Sequence, residues 1–180
     1  TNFNVFHKKQ NLGMFHMKLI GKFNIYNCLA AISVGLHFNV PHETLREAIA
    51  SFDGVSRRAE ILGEKNGKLI INDFAHHPTA VQETLSGLKQ MFLMKHSKKR
   101  IIALFETASS SSKMEIMEKP IIKALKIANL AFLYNPEANK AIKSFTKANL
   151  GSKISVSRST DNLLFHLKQK SRPGDIIVMM

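Results

Sequence analysis

The sequence contains no tryptophan and a single cysteine, Cys28, among its 180 residues. One cysteine excludes an internal disulfide and offers no thiolate pair to a metal ion. Because Cys28 lies in the apolar helical run "NCLAAISVGL", we expect a buried filler residue rather than a nucleophile. The sequence also lacks a signal peptide and any apolar run of about 18 residues, the length that a membrane span needs. It therefore predicts a cytoplasmic protein with no membrane partner.

Acidic residues are scarce, with 13 Asp and Glu against 26 Lys and Arg, so the formal net charge is +13. Such a charge attracts anionic partners, among them nucleic acid and phosphorylated metabolites. The basic residues are scattered, and their densest group is "KKR" at 98–100. The twelve Phe and two Tyr lie in apolar runs, without the alternation with basic residues that single-strand binders use. A basic nucleic-acid-binding α/β module stays an alternative, but we expect no nucleic-acid partner.

The first 52 residues form one predicted segment. Apolar and polar residues alternate around Gly13, in "FNVF" and then "MFHMKLI", which predicts a hairpin. Apolar residues then recur at helical spacing over 24–38, and a second helix begins behind Pro41. The "FDG" at the end of that helix interrupts the periodicity. We therefore place a domain boundary there, with residues 1–52 in one domain and 53–180 in the next.

Residues 53–180 alternate short β-type runs with amphipathic helical stretches. This alternation predicts an α/β fold, with a mostly parallel sheet and helices on both faces. The sequence stops on an apolar strand, so we expect a fragment of a longer protein. The predicted strands are "RAEILGE", "GKLIIND", "RIIALFE", "ANLAFLY", "SKISVS" and "DIIVMM", and the predicted helices are "TAVQETLSGLKQMF", "EIMEKPIIKAL", "PEANKAIKSFTKA" and "TDNLLFHLKQK". Pro120 is expected near the start of the second of these helices or at a kink in it.

Two carboxamides, Asn24 and Asn27, are three residues apart near the amino end of the first helix. This spacing places both on one face of the helix. A carboxamide both donates and accepts hydrogen bonds, so it can pair with the edge of an adenine. The alternative is that one Asn caps the helix and the other lies on the surface.

Two arginines, Arg57 and Arg58, follow the boundary. If this segment is extended, neighbouring side chains point to opposite sides, so at most one of the two faces a given cleft. A guanidinium binds phosphate through its forked donors. The alternative is a structural salt bridge to Glu60 or Asp53.

The segment "DFAHHPTAV" places an acid and two histidines after a predicted strand. Asp73 ends the strand, a position from which a carboxylate can accept hydrogen bonds from both hydroxyls of a ribose. His76 and His77 lie in the following turn, where an imidazole can stack on a base or donate to a phosphate. Pro78 begins a helix, whose free N–H groups favour an anion. The alternative is that Asp73 caps this helix and the histidines fill the turn.

A serine-rich segment, "LFETASSSSKME", follows the next predicted strand and should lie along the same edge of the sheet. Its hydroxyls could wrap a ligand or be solvated. We take Ser109 and Ser110 as candidate substrate contacts. Lys113 could neutralise a carboxylate of the substrate.

In order and spacing these segments resemble the Mur ligase family, the ATP-dependent amide ligases of bacterial peptidoglycan metabolism. "GKFNIYNCLAAI" is similar to the family's G-x-H-N-x-x-N-x-L-A-A-I helix, "GVSRRAEILGE" to its G-V-x-R-R-x-E-x-x-G-E segment, and "DFAHHPTAV" to its D-[DY/F]-x-H-H-P-T segment. The resemblance implies a Rossmann-like C-terminal domain, which binds the peptide, at 53–180. It implies that residues 1–52 are the end of the central ATP-binding domain.

Within the family, "DFAHHPTA" together with "FE" at 105–106 resembles the branch that recycles a murein tripeptide. The resemblance implies that L-Ala-γ-D-Glu-meso-diaminopimelate is joined to UDP-N-acetylmuramate. ATP would phosphorylate the sugar's carboxylate, and the peptide amine would attack the acyl phosphate, with Mg²⁺ neutralising charge. The nearest alternative is the branch that adds L-alanine to the same nucleotide.

The resemblance also assigns roles to residues. Asn24 and Asn27 would contact adenine, Arg58 the nucleotide, and Asp73 its ribose. The catalytic candidates His76 and His77 would line the reaction cleft.

The sequence departs from the family pattern in two places. Where the recycling branch has F-E-P-R-S-N-T-x-K, this sequence has "FETASSSSK", with Ala108 for the Arg and Ser110 for the Asn. We therefore expect either that Lys113 substitutes in peptide recognition or that another acceptor is preferred. The sequence also contains no G-x-x-G-K-[ST] phosphate-binding loop. We expect that loop and the Mg²⁺ ligands outside these residues, and we expect the fragment alone to be inactive.

Overall fold

The computed structural model describes residues 1–93, 99–107, 115–136 and 153–180. The chain divides into two units, Thr1–Ser56 and Arg57–Met180. Among the described residues, no helix combines the length and the apolar character that crossing a membrane requires.

The first unit contains a hairpin and two helices. Strands β1 (Asn2–His7) and β2 (Gln10–His16) pair antiparallel, and helices α1 (Lys22–His37) and α2 (His42–Ser51) follow. The predicted hairpin and helices are thus present. The core of the unit is made by Val5, Leu12, Phe15 and Ile32, against which Leu45 and Ile49 pack.

The hairpin turns at Lys8 and Lys9, not at Gly13. Both lysines have positive φ, 47° and 67°, as in the two-residue turns whose twist matches that of the strands. Gly13, with φ of 91°, instead lies within β2 opposite Val5, where the register shifts. An irregularity of this kind within a strand is a common place for glycine.

The second unit is built on a six-stranded sheet in the order β3-β4-β8-β5-β6-β7. Only β3 runs antiparallel to its neighbour, and the other pairs are parallel, which confirms the predicted mostly parallel sheet. The strands are β3 (Glu60–Lys65), β4 (Lys68–Asn72), β5 (Ile101–Glu106), β6 (Leu130–Tyr134), β7 (Ile154–Ser157) and β8 (Ile176–Met179).

Three described helices pack on this sheet: α3 (Pro78–Leu93), α4 (Glu115–Leu125) and α5 (Thr160–Lys170). Helix α5 covers one face through Leu163 and Leu167, which pack on Ile102 of β5. The next residue of β5, Ala103, points to the opposite face and is also fully buried. Helix α3 contacts both β5 and α4, so this pair covers the second face. Pro120 lies inside α4, and the helix predicted over 136–148 falls almost entirely outside the described residues.

The carboxyl ends of the parallel strands meet along one edge of the sheet, which we call the carboxyl edge. The N–H of Asp73, after β4, donates to Met179 O at 2.9 Å, and the N–H of Met180, after β8, donates to Leu104 O at 2.8 Å. Residues that follow β4 and β5 are therefore held side by side by β8. Open α/β sheets bind their ligands at this edge.

Candidate functional site

The two arginines lie in a turn, not in an extended segment. β3 begins only at Glu60, and Arg57 and Ala59 both have positive φ, 61° and 51°. Such backbone is strained for residues other than glycine and needs surrounding bonds to hold it. The N–H of Arg57 donates to Glu60 Oε2 at 2.8 Å, and its carbonyl accepts from the N–H of Phe74 at 2.7 Å. The prediction of an extended segment is therefore wrong at this point.

The guanidinium of Arg57 stacks on the loop that follows β4. It lies 4.9 Å from the centre of the Phe74 ring, and the edge of the same ring meets His76 with 4.9 Å between centroids. Arg58 is exposed, and its guanidinium makes no hydrogen bond to any residue that the structure describes. The stack on Phe74 uses only the face of the Arg57 guanidinium, so the described residues take up the side-chain N–H donors of neither arginine.

The carboxylate of Asp73 is buried, with 4% of the residue exposed. Its Oδ2 accepts from the N–H of Ala59 at 2.7 Å, and its Oδ1 accepts from the N–H of Ala75 at 2.8 Å and from Thr84 Oγ1 at 3.3 Å. Burial raises the pKa of this carboxyl above its usual value, against the opposing effects of these hydrogen bonds and of the Arg58 charge. Asp73 therefore does not point openly from the edge as the sequence led us to expect, and its ribose contact stays a prediction.

The two histidines carry their ring protons on different nitrogens. Nδ1 of His76 lies 2.9 Å from the carbonyl of Phe74; because a carbonyl can only accept, this nitrogen bears the proton. Nδ1 of His77 lies 3.3 Å from the N–H of Thr79; because an amide N–H can only donate, this nitrogen is unprotonated. In the neutral rings, Nε2 of His76 is thus an acceptor and Nε2 of His77 a donor.

His77 also caps the helix that follows it. Its carbonyl accepts from the N–H of Val81 at 3.0 Å, and Pro78 occupies the first position of α3, where a missing N–H costs nothing. The anticipated helix start is present, but His77 supplies the cap and Asp73 does not.

In the first unit, Asn24 and Asn27 are linked by their amides. Nδ2 of buried Asn24 donates to the carbonyl of Ile20 at 2.7 Å, which turns its Oδ1 toward Asn27, whose Nδ2 donates to it at 3.1 Å. Asn27 is exposed, and within the described residues no contact uses its Oδ1. The pair therefore presents a fixed carboxamide at Asn27, while Asn24 is mainly its support.

The remaining predicted contacts cannot be placed. Ser109, Ser110 and Lys113 lie in 108–114, outside the described residues. Within the described ranges, no group of three or more His, Cys, Asp or Glu side chains is arranged to hold a metal ion.

Two polar residues on the carboxyl edge escaped the sequence interpretation. Thr107 follows β5 and Asn135 follows β6; both are buried, and Oγ1 of Thr107 lies 3.2 Å from Oδ1 of Asn135. Each is a polar residue directly after an apolar strand, the same sequence signal that marks Asp73. Phe74 and Thr84 were missed because nothing in their spacing indicates a contact to an arginine or a carboxylate.

Comparison with known proteins gives a consistent match. Residues 57–180 match the family model described as the Mur ligase, glutamate ligase domain. A UDP-N-acetylmuramate–L-alanine ligase from Geobacter sp. (strain M21) is 30% identical over 190 residues, covering 100% of this chain and 40% of the relative. The enzyme of the same name from Endomicrobium trichonymphae is 43% identical over 106 residues, 59% of this chain and 23% of the relative.

Among solved structures, a murein peptide ligase from Psychrobacter arcticus aligns with a TM-score of 0.69 and 28% identity. The alignment covers 99% of this chain and 38% of that one. The chain thus spans well under half the length of these relatives.

Proposed function

The chain belongs to the Mur ligase family, and from this membership we propose that it is part of an ATP-dependent ligase that joins an amine to UDP-N-acetylmuramate. The observation that carries the proposal is the family match over 57–180, the residues that form the sheet and its carboxyl edge. Members of the family are ATP-dependent ligases that use Mg²⁺, whose ligands here would lie outside the described residues. We expect a cytoplasmic enzyme.

We propose nucleotide contacts in each of the two units, and the contacts in one unit are argued separately from those in the other. The exposed amide of Asn27, held by Asn24, has the donor and acceptor that match an adenine edge. Arg58, whose guanidinium bonds to none of the described residues, offers its donors to a phosphate. Asp73 would contact the ribose, as predicted, if its carboxylate becomes accessible when ATP binds.

His76 and His77 are proposed to face the reacting groups. His77 offers an N–H at the amino end of α3, where the helix dipole favours an anionic oxygen of a phosphate. His76 offers an unprotonated Nε2, which can accept a hydrogen bond or a proton from an incoming amine. The Asn27 contacts and the histidine contacts are separate proposals, each testable alone.

The acceptor amine is the finer part of the proposal. We propose the recycled tripeptide L-Ala-γ-D-Glu-meso-diaminopimelate, on the pattern "DFAHHPTA" with "FE" at 105–106 and on the likeness to the murein peptide ligase of Psychrobacter arcticus. L-Alanine is the second candidate, because the relatives from Geobacter and Endomicrobium are named for it.

The test uses the full-length protein with ATP, Mg²⁺ and UDP-N-acetylmuramate, and it follows phosphate release with either amine. The proposal for the tripeptide expects turnover with the tripeptide and little with L-alanine. Turnover with L-alanine alone would replace it by the second candidate, and turnover with neither would overturn the ligase proposal. Residues 1–180 alone, which lack a phosphate-binding loop motif, are expected to release no phosphate.

A further inference from the structure

We propose that the second unit binds the surface of an anionic membrane through a basic cluster at the amino edge of its sheet, where the parallel strands begin. This edge is opposite to the carboxyl edge, so the surface is separate from the nucleotide contacts proposed for this unit. The sequence predicted no membrane partner because it shows no spanning segment, but a protein can lie on a membrane surface without crossing it. The proposal therefore goes beyond the ligase function and does not depend on it.

Backbone hydrogen bonds bring the starts of neighbouring strands together at this edge. The N–H of Ile176, which begins β8, donates to the carbonyl of Arg100, just before β5, at 2.8 Å. The N–H of Ala131 in β6 donates to the carbonyl of Lys153, just before β7, at 2.8 Å. Basic residues that are distant along the chain therefore lie along one side of the sheet, which is about 24 Å wide over its six strands at the usual strand spacing.

Two further segments end at the same edge. Lys65 of β3 lies opposite Lys68 of β4 at the turn between these strands. The Arg100 guanidinium donates to the carbonyl of Lys170, the last residue of α5, at 2.9 Å. We define the amino-edge cluster as the basic residues that flank these strand starts or end α5: Lys65, Lys68, Lys99, Arg100, Lys126, Lys153, Lys168, Lys170 and Arg172.

The amino-edge cluster carries an excess of positive charge. All its members except Lys68 and Arg100 are exposed. Within the described part of this edge the acids are Glu64 and Asp175, and Asp175 is buried and already paired with Arg100 at 2.7 Å. Anionic lipids attract such clusters, and each Lys or Arg near the membrane surface adds to the affinity.

The positive charge is concentrated at this edge of the unit. The carboxyl edge instead mixes both signs, with Arg57, Arg58 and Arg158 beside Glu60, Asp73, Glu106 and Asp161. Basic side chains can offset the dipole at the end of a helix, which would explain Lys168 and Lys170 in the last turn of α5. That explanation does not apply to Lys65 and Lys153, which adjoin strands. The concentration of charge therefore indicates an anionic partner and not helix ends alone.

Exposed apolar side chains beside the cluster favour a membrane over nucleic acid. Leu164 and Phe165 of α5 are 47% and 56% exposed. Leu164 lies one turn before Lys168, so the two share a face of the helix. Apolar side chains next to lysines can insert between the lipid headgroups that the lysines attract, whereas single-strand binders interleave several aromatic residues with basic ones.

The experiment measures binding of the full-length protein to vesicles by sedimentation. Vesicles of phosphatidylglycerol and phosphatidylcholine in equal parts supply the anionic surface, and vesicles of phosphatidylcholine alone are the neutral comparison. Binding to the anionic vesicles is expected, with little binding to the neutral ones, and it should weaken as the salt concentration is raised. No binding to the anionic vesicles would overturn the proposal.

Two charge-matched variants test where the membrane is bound. The edge variant combines Lys65→Gln, Lys153→Gln, Lys168→Gln and Arg172→Gln, and the control variant combines Lys8→Gln, Lys9→Gln, Lys119→Gln and Arg158→Gln, all at exposed positions. The edge variant is expected to bind anionic vesicles at least roughly a hundredfold more weakly, and the control variant is expected to lose far less. Equal losses in the two variants would overturn the proposal, because they would show attraction by net charge alone.

A third variant separates a membrane from other polyanions. Leu164→Ser with Phe165→Ser removes the exposed apolar pair, keeps every charge, and is expected to weaken vesicle binding roughly tenfold. Unchanged binding would overturn the assignment to a membrane, and so would binding to a DNA duplex without binding to vesicles.

Phosphate release separates this proposal from the ligase function. The edge variant should release phosphate as the unmodified full-length protein does, and a loss of phosphate release would overturn the separation of this surface from the reaction. If the unmodified protein releases no phosphate, the ligase proposal fails, while vesicle binding by the same variants still decides this one.

Discussion

His76 and His77 use the same ring nitrogen in opposite ways. Nδ1 of His76 donates to the carbonyl of Phe74 at 2.9 Å, and Nδ1 of His77 accepts from the N–H of Thr79 at 3.3 Å. Two neighbouring imidazoles therefore differ in what they can offer a ligand, and the difference is set by the backbone around them.

The tautomers can be observed directly. We expect nitrogen NMR of the neutral imidazoles to show the proton on Nδ1 of His76 and on Nε2 of His77. Finding both protons on Nε2 would contradict the assignment.

The capping role of His77 predicts how its variants differ. His77→Asn keeps an acceptor near the N–H of Thr79 and should leave the free energy of unfolding nearly unchanged, because Asn is a good helix cap. His77→Ala is expected to cost about 1 kcal/mol. Both lose the Nε2 donor, so both should weaken ATP binding to a similar extent. Urea unfolding and ATP titration separate the two effects; equal stability of the two variants would argue against the cap.

The two arginines should differ in their effect on nucleotide binding. Arg58→Ala is expected to weaken ATP binding at least roughly tenfold, the value of a charge-assisted bond. Arg57→Ala removes a stacking contact within the protein, on Phe74, worth about 0.5–1 kcal/mol at an exposed site; because the family resemblance assigns the nucleotide to Arg58, a smaller effect on ATP binding is expected. Lys168→Ala, in the last turn of α5, removes the same charge and is the control. A larger loss in Arg57→Ala, measured by calorimetry, would reverse the assignment of roles.

Breaking the ion pair of Arg100 and Asp175 should destabilise the second unit. Two bonds of 2.9 and 2.7 Å join the side chains, and Asp175 is 1% exposed. Arg100→Ala takes the guanidinium from a buried carboxylate, which then keeps only the N–H and the charge of Arg172, and the loss is expected to be about 3 kcal/mol. Arg100→Lys keeps the charge but not the two-bond geometry, so an intermediate loss is expected in urea unfolding. A loss below about 1 kcal/mol in Arg100→Ala, the range of surface pairs, would contradict this.

The same pair predicts a dependence on pH. Burial acts to raise the pKa of Asp175. The hydrogen bonds from the Arg100 side chain and from the N–H of Arg172, together with the charges of both arginines, act to lower it. The lowering effects are the stronger, so the pKa of Asp175 lies below its usual value. A lowered pKa contributes stability above the pKa of the unfolded chain, and the contribution is lost as pH falls through the folded value. Asp175→Asn should therefore lose less stability than the unmodified protein does between pH 5 and strong acid. Parallel acid curves would contradict the linkage.

Cys28 is expected to be unreactive in the native protein. The thiol is buried, and burial raises its pKa above the usual value, so the thiolate that reacts is scarce. A disulfide reagent at pH 8 should modify Cys28 slowly in buffer and at the rate of a free thiol in denaturant. Equal rates would show that the helix exposes it.

Much of the fold could be predicted because apolar periodicity marks strands and helices directly. The strand "DIIVMM" and the helix "TDNLLFHLKQK" were anticipated nearly to the residue as β8 and α5. The predicted break at Gly13 is wrong, because the hairpin turns at Lys8 and Lys9. Lysine is not a residue type that indicates a positive φ, whereas glycine is. Local pattern thus predicted the elements better than the points where they change direction.

The candidate site was predictable by residue type but not by orientation. The acid and histidines after β4 were identified from their position at a strand end. That Asp73 would be buried depends on the N–H of Ala59, 14 residues earlier, in a turn whose backbone the sequence did not indicate. A hydrogen bond between two segments that are distant along the chain depends on tertiary structure, which local sequence patterns do not reveal.

The place of β8 has a consequence for how the second unit is made. It is the last of the six strands along the chain, yet it lies between β4 and β5. While a ribosome has released only β3 to β7, the β3-β4 pair and the β5-β6-β7 group share no hydrogen-bonded strand. The two halves of the carboxyl edge can therefore come together only after residues 176–179 emerge, so the sheet of this unit cannot be completed while β3 to β7 alone have been made.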